Sequence, residues 1–301
     1  MERILFGDNQ FFGINHVSDE KSRTQSLKFK DNEVVLKTLD YVIDEGVKTF
    51  MCTTHERIGA ICNLINLNHY RYQNFKIYPC LPYAHKYANA ITDYGVYGTL
   101  KQYVPGNFFI SLFKGGVAVA SKDYIGMMKL LIDAEMKSFK NMNTPVIFLQ
   151  NVITDLLLGL GMKDVIKAFH EYIIKEYDAE PGYITMNLPK MVDFLASAGI
   201  ENPIVCSSIN VDGFRMPGGK DIYETYLSNR NVRAIAMQVL SGGSSDPKKA
   251  IEYVCTLPNV TSILFGASTK SNIKETISLI RKYDNMVDYL DIENLNKIKI
   301  Y

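Results

Sequence analysis

The sequence predicts an α/β protein, a single (β/α)8 TIM barrel spanning residues 1–301. Three observations lead there. Eight short apolar runs alternate with longer segments of helical period. The runs are continuously apolar, as in parallel strands buried on both faces. No Gly-x-Gly-x-x-Gly follows the first run, which disfavours an open doubly wound sheet.

The elements follow in order. Arg3–Phe6 reads as the first strand, and a polar, irregular stretch comes after it. Asn32–Glu45 places Val34, Val35, Leu36, Leu39, Val42 and Ile43 on one helical face, and Gly46 ends that helix. Val47–Cys52 is the second strand and Ile58–Leu67 the next helix. Phe75–Leu81 is the third strand, weakened by Pro79, which removes a backbone donor.

A long Gly- and Tyr-rich loop is expected over 82–120, with Ser121 capping a helix to about Phe139. Its Lys114-Gly-Gly116 and Pro105-Gly106 suit either a lid with a hinge or a plain surface excursion. Pro145–Gln150 is strand four, followed by helical segments broken at Gly159-Leu-Gly161, the better one being Met162–Tyr177. Gly182–Met186 is strand five, and a helix over Leu188–Ala198 ends at Gly199. Pro203–Ser207 is strand six, with a helix over Lys220–Asn229. Val232–Met237 is strand seven. The helix after it starts with Asp246 as cap and Pro247 at its first position. Val260–Phe265 is strand eight, Ser271–Tyr283 a helix, and a helical tail is expected over 284–301.

Composition narrows the partners. Net charge is +1, from 33 Lys+Arg against 32 Asp+Glu, so no basic surplus exists to neutralise nucleic-acid phosphates. Apolar residues at 47% and charged residues at 22% are the globular mix. Five cysteines without a Cys-x-x-Cys favour a reducing compartment over disulfides or structural zinc. No apolar run approaches a membrane span, and MERILFGDNQ is unlike a signal peptide, so a cytoplasmic protein with no membrane partner is expected.

In barrels the chemistry sits at the carboxyl ends of the strands. Those positions are polar here: Asp8 and His16 after strand one, His55 and Glu56 after strand two, Tyr83, His85 and Lys86 after strand three, Asn151 after strand four. Thr185, Asn187, Ser207, Ser208 and Asn210 follow strands five and six. Histidine and carboxylate together suit proton transfer near neutral pH, so these are the catalytic candidates. Loop histidines also serve simply as hydrogen-bonding or solvated groups. No His pair has helical i, i+4 spacing, and no metal site is expected. His69 and His170 are read as exterior helix residues.

Two late loops carry a different signal. Leu240-Ser-Gly-Gly-Ser-Ser245 and Phe265-Gly-Ala-Ser-Thr-Lys270 each leave a strand and feed a helix. Glycine amides, hydroxyls and a helix N-terminus suit an anion, though either loop alone is also an ordinary turn. The expected ligand is a small anionic molecule.

Four segments resemble the aldo-keto reductases. Gly266-Ala-Ser-Thr-Lys-Ser-Asn-Ile-Lys-Glu-Thr276 is similar to that family's Gly-Ala-Ser-x-x-x-Gln-Leu-x-Glu-Asn cofactor segment. Gln238–Gly243, Gly182–Asn187 and Gly46–Phe50 resemble its strand-seven turn, its strand-five turn and its lead into strand two. The resemblance implies an NADP or NAD site lined by Ser241, Gly242, Gly243, Gly266, Ala267, Ser268, Lys270, Asn272 and Glu275. Ser268 and Lys270 would then sit nearest the adenosine phosphates, and Asn272 and Glu275 nearest the adenine.

The family's Asp/Tyr/Lys/His tetrad does not carry over. In Phe50-Met-Cys-Thr-Thr-His-Glu-Arg57, Met51 stands for the Asp and Glu56 for the Tyr. Pro79-Cys-Leu81 stands where the Lys is expected and Leu149-Gln-Asn151 where the His is. His55 or Tyr83 is the expected replacement proton donor. Three functions follow: a divergent oxidoreductase on a small carbonyl or sugar, a non-redox lyase, isomerase or aldolase on a phosphorylated or sugar-like substrate, or a silent binding protein.

Overall fold

A computed structural model describes residues 1–14, 18–82 and 124–298. Eight parallel strands close a barrel in sequence order: β1 (Ile4–Gly7), β2 (Thr49–Thr53), β3 (Lys76–Leu81), β4 (Val146–Leu149), β5 (Glu180–Ile184), β6 (Ile204–Ser208), β7 (Arg233–Met237) and β8 (Val260–Phe265). The described helices are α1 (Asp19–Lys28), α2 (Asn32–Asp44), α3 (Ile58–Leu67), α4 (Tyr124–Met136), α5 (Asn151–Gly159), α6 (Lys163–Tyr177), α7 (Leu188–Ser197), α8 (Lys220–Asn229), α9 (Pro247–Thr256) and α10 (Lys270–Ile298). The predicted fold class is the observed one. No described helix is long and apolar enough to cross a membrane.

The chain divides into two compact units. Unit 1 is Met1–Phe50, Met186–Pro189 and Val205–Tyr301; unit 2 is Met51–Thr185 and Lys190–Ile204. In unit 1, β8 pairs with β1 (Ile4↔Ile263, Phe6↔Phe265) and with β7 (Ile235↔Ser262). Arg3 forms a forked pair with Asp284 of α10, with nitrogen–oxygen distances of 2.7–3.1 Å, and also donates to the Val260 carbonyl. In unit 2, β4 pairs with β3 (Leu81↔Leu149) and β5 (Phe148↔Gly182). A Cβ at Gly182 would stand 2.3 Å from the buried Phe148 ring, so the strands approach only because position 182 has no side chain.

Four expectations change. The irregular stretch after the first strand contains α1. Its sequence DEKSRTQSLK has one large apolar residue, Leu27, and that residue is exposed, so no periodicity marks the helix. Pro79 lies inside β3, and Pro181 inside β5. The last helix runs unbroken from Lys270 to Ile298. His170 is half-buried, with a ring nitrogen 3.1 Å from the hydroxyl of fully buried Tyr183. It is therefore not a free exterior residue. The proposed lid and its hinge lie outside the described residues.

Candidate functional site

In unit 2, β2 runs into a turn held from below. The Thr54 hydroxyl donates to the Glu135 carboxylate of α4, and each residue is only 2% exposed. Glu135 was not among the sequence candidates, because a helix position does not reveal which loop it meets. Beyond Thr54, the Arg57 amide donates to His55 Nδ1 at 3.2 Å, and the Ile58 amide to the His55 carbonyl at 2.8 Å. These bonds start α3. An Nδ1 that accepts puts the proton of a neutral imidazole on Nε2. Burial pulls the His55 pKa below its ordinary value, against Glu56 and together with Arg57. The lowered pKa favours the neutral imidazole, with its proton on Nε2. Glu56 beside it is exposed.

Asn151 opens α5 where β4 ends, and the Thr154 hydroxyl ties that turn to the Leu149 carbonyl at 3.0 Å. Thr185, just past β5, is buried and donates to Asp155 of α5 at 2.5 Å. Tyr83 and His85 lie outside the described residues.

In unit 1, Asp8 follows β1 and is nearly buried, its carbonyl accepting from the Phe11 amide at 2.8 Å. Buried Gln10 donates from Nε2 to the Gly7 carbonyl at 2.6 Å. Its Oε1 lies 2.2 Å from where a Cβ on Gly266 would stand. The β8 glycine therefore makes room for Gln10, a structural need apart from any cofactor. His16 lies outside the described residues.

The loops after β6 and β7 interlock. Ser208 donates to Gln238 Oε1 at 2.6 Å. Asn210 brackets Phe214 with two bonds of 2.8 Å, closing the 210–214 turn. Asp212 then reaches the β7 loop, where one carboxylate oxygen accepts from the Ser241 hydroxyl at 2.7 Å and also from the Ser245 hydroxyl. The Ser245 and Ser241 hydroxyls hold the Asp212 pKa below the carboxylate range. The β7 loop is backbone-strained at Gln238 (φ +54°) and Ser241 (φ +48°), and it continues through Gly242 (+75°) and Gly243 (+96°), where glycine adopts this region freely. Side chains rarely adopt this region, and such residues collect at functional sites.

In the β8 loop, Lys28 of α1 donates to the Ser268 carbonyl. The Thr269 hydroxyl caps α10 at the Asn272 amide, 3.2 Å away. Lys270, the expected anion-facing cation, has its Nζ 5.0 Å from the Tyr41 ring centroid. Ala267 is half-buried, and Asn272 and Glu275 are exposed on the first turns of α10. Lys28 and Asp212 escaped the sequence reading, since neither partner is near in sequence. A Cβ on exposed Gly243 would meet nothing within 4 Å, so its backbone is approachable, while its amide donates to the Leu240 carbonyl at 2.7 Å. The charge next to this loop is that of Asp212. Among the described residues no group of three His, Cys, Asp or Glu side chains could hold a metal.

No protein-family model and no curated protein matches the sequence. Solved structures do match. A Pseudomonas aeruginosa protein assigned to the aldo-keto reductases superposes with a TM-score of 0.58 at 10% identity, over 94% of this chain and 90% of its own. An aldo-keto reductase from Bacillus halodurans, solved in its holo form, gives 0.53 at 10% identity, over 86% and 88%. One from a Medee basin deep-sea metagenome gives 0.52 at 12%, over 85% and 88%. At this identity the likeness establishes the fold: the chain is an aldo-keto reductase-like barrel.

Proposed function

We propose that this chain is a divergent aldo-keto reductase-like oxidoreductase that binds NADP or NAD and reduces a small carbonyl or sugar substrate. The observation that supports it best is the strained β7 loop on a barrel shared with aldo-keto reductases over nine-tenths of the chain. A bound reduced nicotinamide would supply the hydride. In unit 1, the Gly242 amide and the Ser241 hydroxyl would hold its diphosphate, with Gly243 leaving room for it to approach. Ser268, with Lys28 against its carbonyl, would lie under the adenosine phosphate. Gly266, Ala267, Lys270, Asn272 and Glu275 complete that lining by family resemblance. In unit 2, His55 offers the Nε2–H as the carbonyl's proton donor, standing in for the missing tyrosine. Asp8 in unit 1 and Glu56 and Asn151 in unit 2 remain catalytic candidates of their own units, Tyr83 remains the alternative proton donor, and His16, Tyr83 and His85 lie outside the described residues. The ligand is small and anionic, and the protein works in the cytoplasm without nucleic-acid or membrane partners.

The first test is a thermal shift with NADPH, NADH and a panel of sugar phosphates. A Tm rise of several degrees with either dinucleotide is expected, and carbonyl turnover should fall at least tenfold in His55→Ala. A shift with sugar phosphates alone would instead favour the second reading, a non-redox lyase or isomerase. The adjacency of neutral His55 and exposed Glu56 suits proton transfer in that case.

A further inference from the structure

We propose that Asp212 is a tethered internal anion occupying the phosphate seat of the β7 loop, so that an incoming ligand phosphate must displace it. The inference rests on the proposed reading that this loop receives a phosphate-bearing ligand, and it adds a regulator to that loop.

Proton supply is the core of the argument. A serine hydroxyl carries one donor proton. Ser241 and Ser245 both give theirs to the same carboxylate oxygen of Asp212. While they do so, each hydroxyl presents only lone pairs to another anion. A phosphate arriving at the loop thus finds both hydroxyl donors engaged and a negative charge already in place. The two backbone segments involved are held rigidly. Asn210 closes the turn that carries Asp212, and the β7 loop is fixed by amide bonds from Ser241 to Gln238 (2.9 Å) and from Gly243 to Leu240 (2.7 Å). The carboxylate side chain is the movable part: Asp212 is exposed, whereas Ser241 is buried. When Asp212 swings to solvent, two hydroxyls turn to the ligand on a loop that keeps its shape. Displacement needs no refolding and no covalent step. The device sets a threshold: a multiply charged diphosphate competes with the carboxylate, and a singly charged ligand does so poorly.

The test is calorimetric titration of the full chain with inorganic pyrophosphate at fixed ionic strength. Wild type is compared with Asp212→Asn, which keeps shape and removes charge, and with Asp212→Ala, which removes the acceptor as well. Asp212 is exposed, so both variants should fold, and circular dichroism checks this. Affinity is expected to rise about tenfold in both variants. A gain of fivefold or more in either folded variant upholds the inference. A smaller gain, a loss, or no pyrophosphate binding in any of the three proteins overturns it. NADPH is titrated in parallel. Binding of NADPH without a pyrophosphate gain removes the internal anion and leaves the oxidoreductase reading standing. A pyrophosphate gain without NADPH binding does the reverse.

Discussion

Tyr183 is buried in unit 2, and its hydroxyl has His170 at 3.1 Å. His170→Leu removes that partner, and an unpaired buried hydroxyl costs about 1–3 kcal/mol. Urea unfolding should show that loss, and adding Tyr183→Phe should recover most of it. The pair also shapes the pH response. Burial lowers the pKa of His170, against Glu171, and likewise that of His55. The unfolded chain takes up these protons near the ordinary value of ~6.5, the folded chain only at lower pH. Stability from these groups is therefore complete above ~6.5 and declines as pH falls through that value towards the folded ones. The urea midpoint should be lower at pH 5.5 than at pH 7.5, and His170→Leu should flatten the difference. His55 could be picked from the sequence because it follows a strand. The burial of His170 could not, since a histidine on a polar-faced helix reads the same whether or not a tyrosine waits beneath it.

At the scale of elements, the β4–β5 contact leaves no room for a side chain at position 182. Gly182→Ala would push a methyl to within 2.3 Å of Phe148, which is fully buried and has nowhere to go. Overpacking of this kind costs about 1–3 kcal/mol. Thermal melts should show the loss, and Phe148→Leu in the same chain should return part of it, a non-additivity that marks direct contact. The strands were readable because buried parallel strands are unbroken apolar runs. Their limits were not, because pairing sets them: Val146 lies opposite Glu180, so β5 begins in a stretch of charged and proline residues. Helix α1 was invisible for the opposite reason, having no apolar stripe to reveal it. It is nevertheless the element that brings Lys28 to the β8 loop.

Across the whole molecule, the βα rhythm alone was enough to predict the closed barrel, and the glycines and hydroxyls of the last two loops marked one part of the candidate site. The ties that decide how those loops behave were hidden. Gln10 against Gly266, Asp212 against Ser241 and Lys28 against Ser268 join residues far apart in sequence, and composition does not choose partners. The same scale governs closure. Asp284→Ala breaks the forked bond from Arg3 and leaves a partly buried guanidinium, at a cost of about 1–3 kcal/mol. A lowered Tm should show it, with little change in ligand affinity.

The Arg3–Asp284 bond spans 281 residues of sequence, and β1 pairs with β8 beside it. Contacts so far apart carry a large loop-closure entropy and form slowly. During synthesis β1 would leave the ribosome long before its partner exists. Its buried Leu5 and Phe6 gain their β8 neighbour only after most of the chain between them has been made, so the ring is expected to shut late in folding.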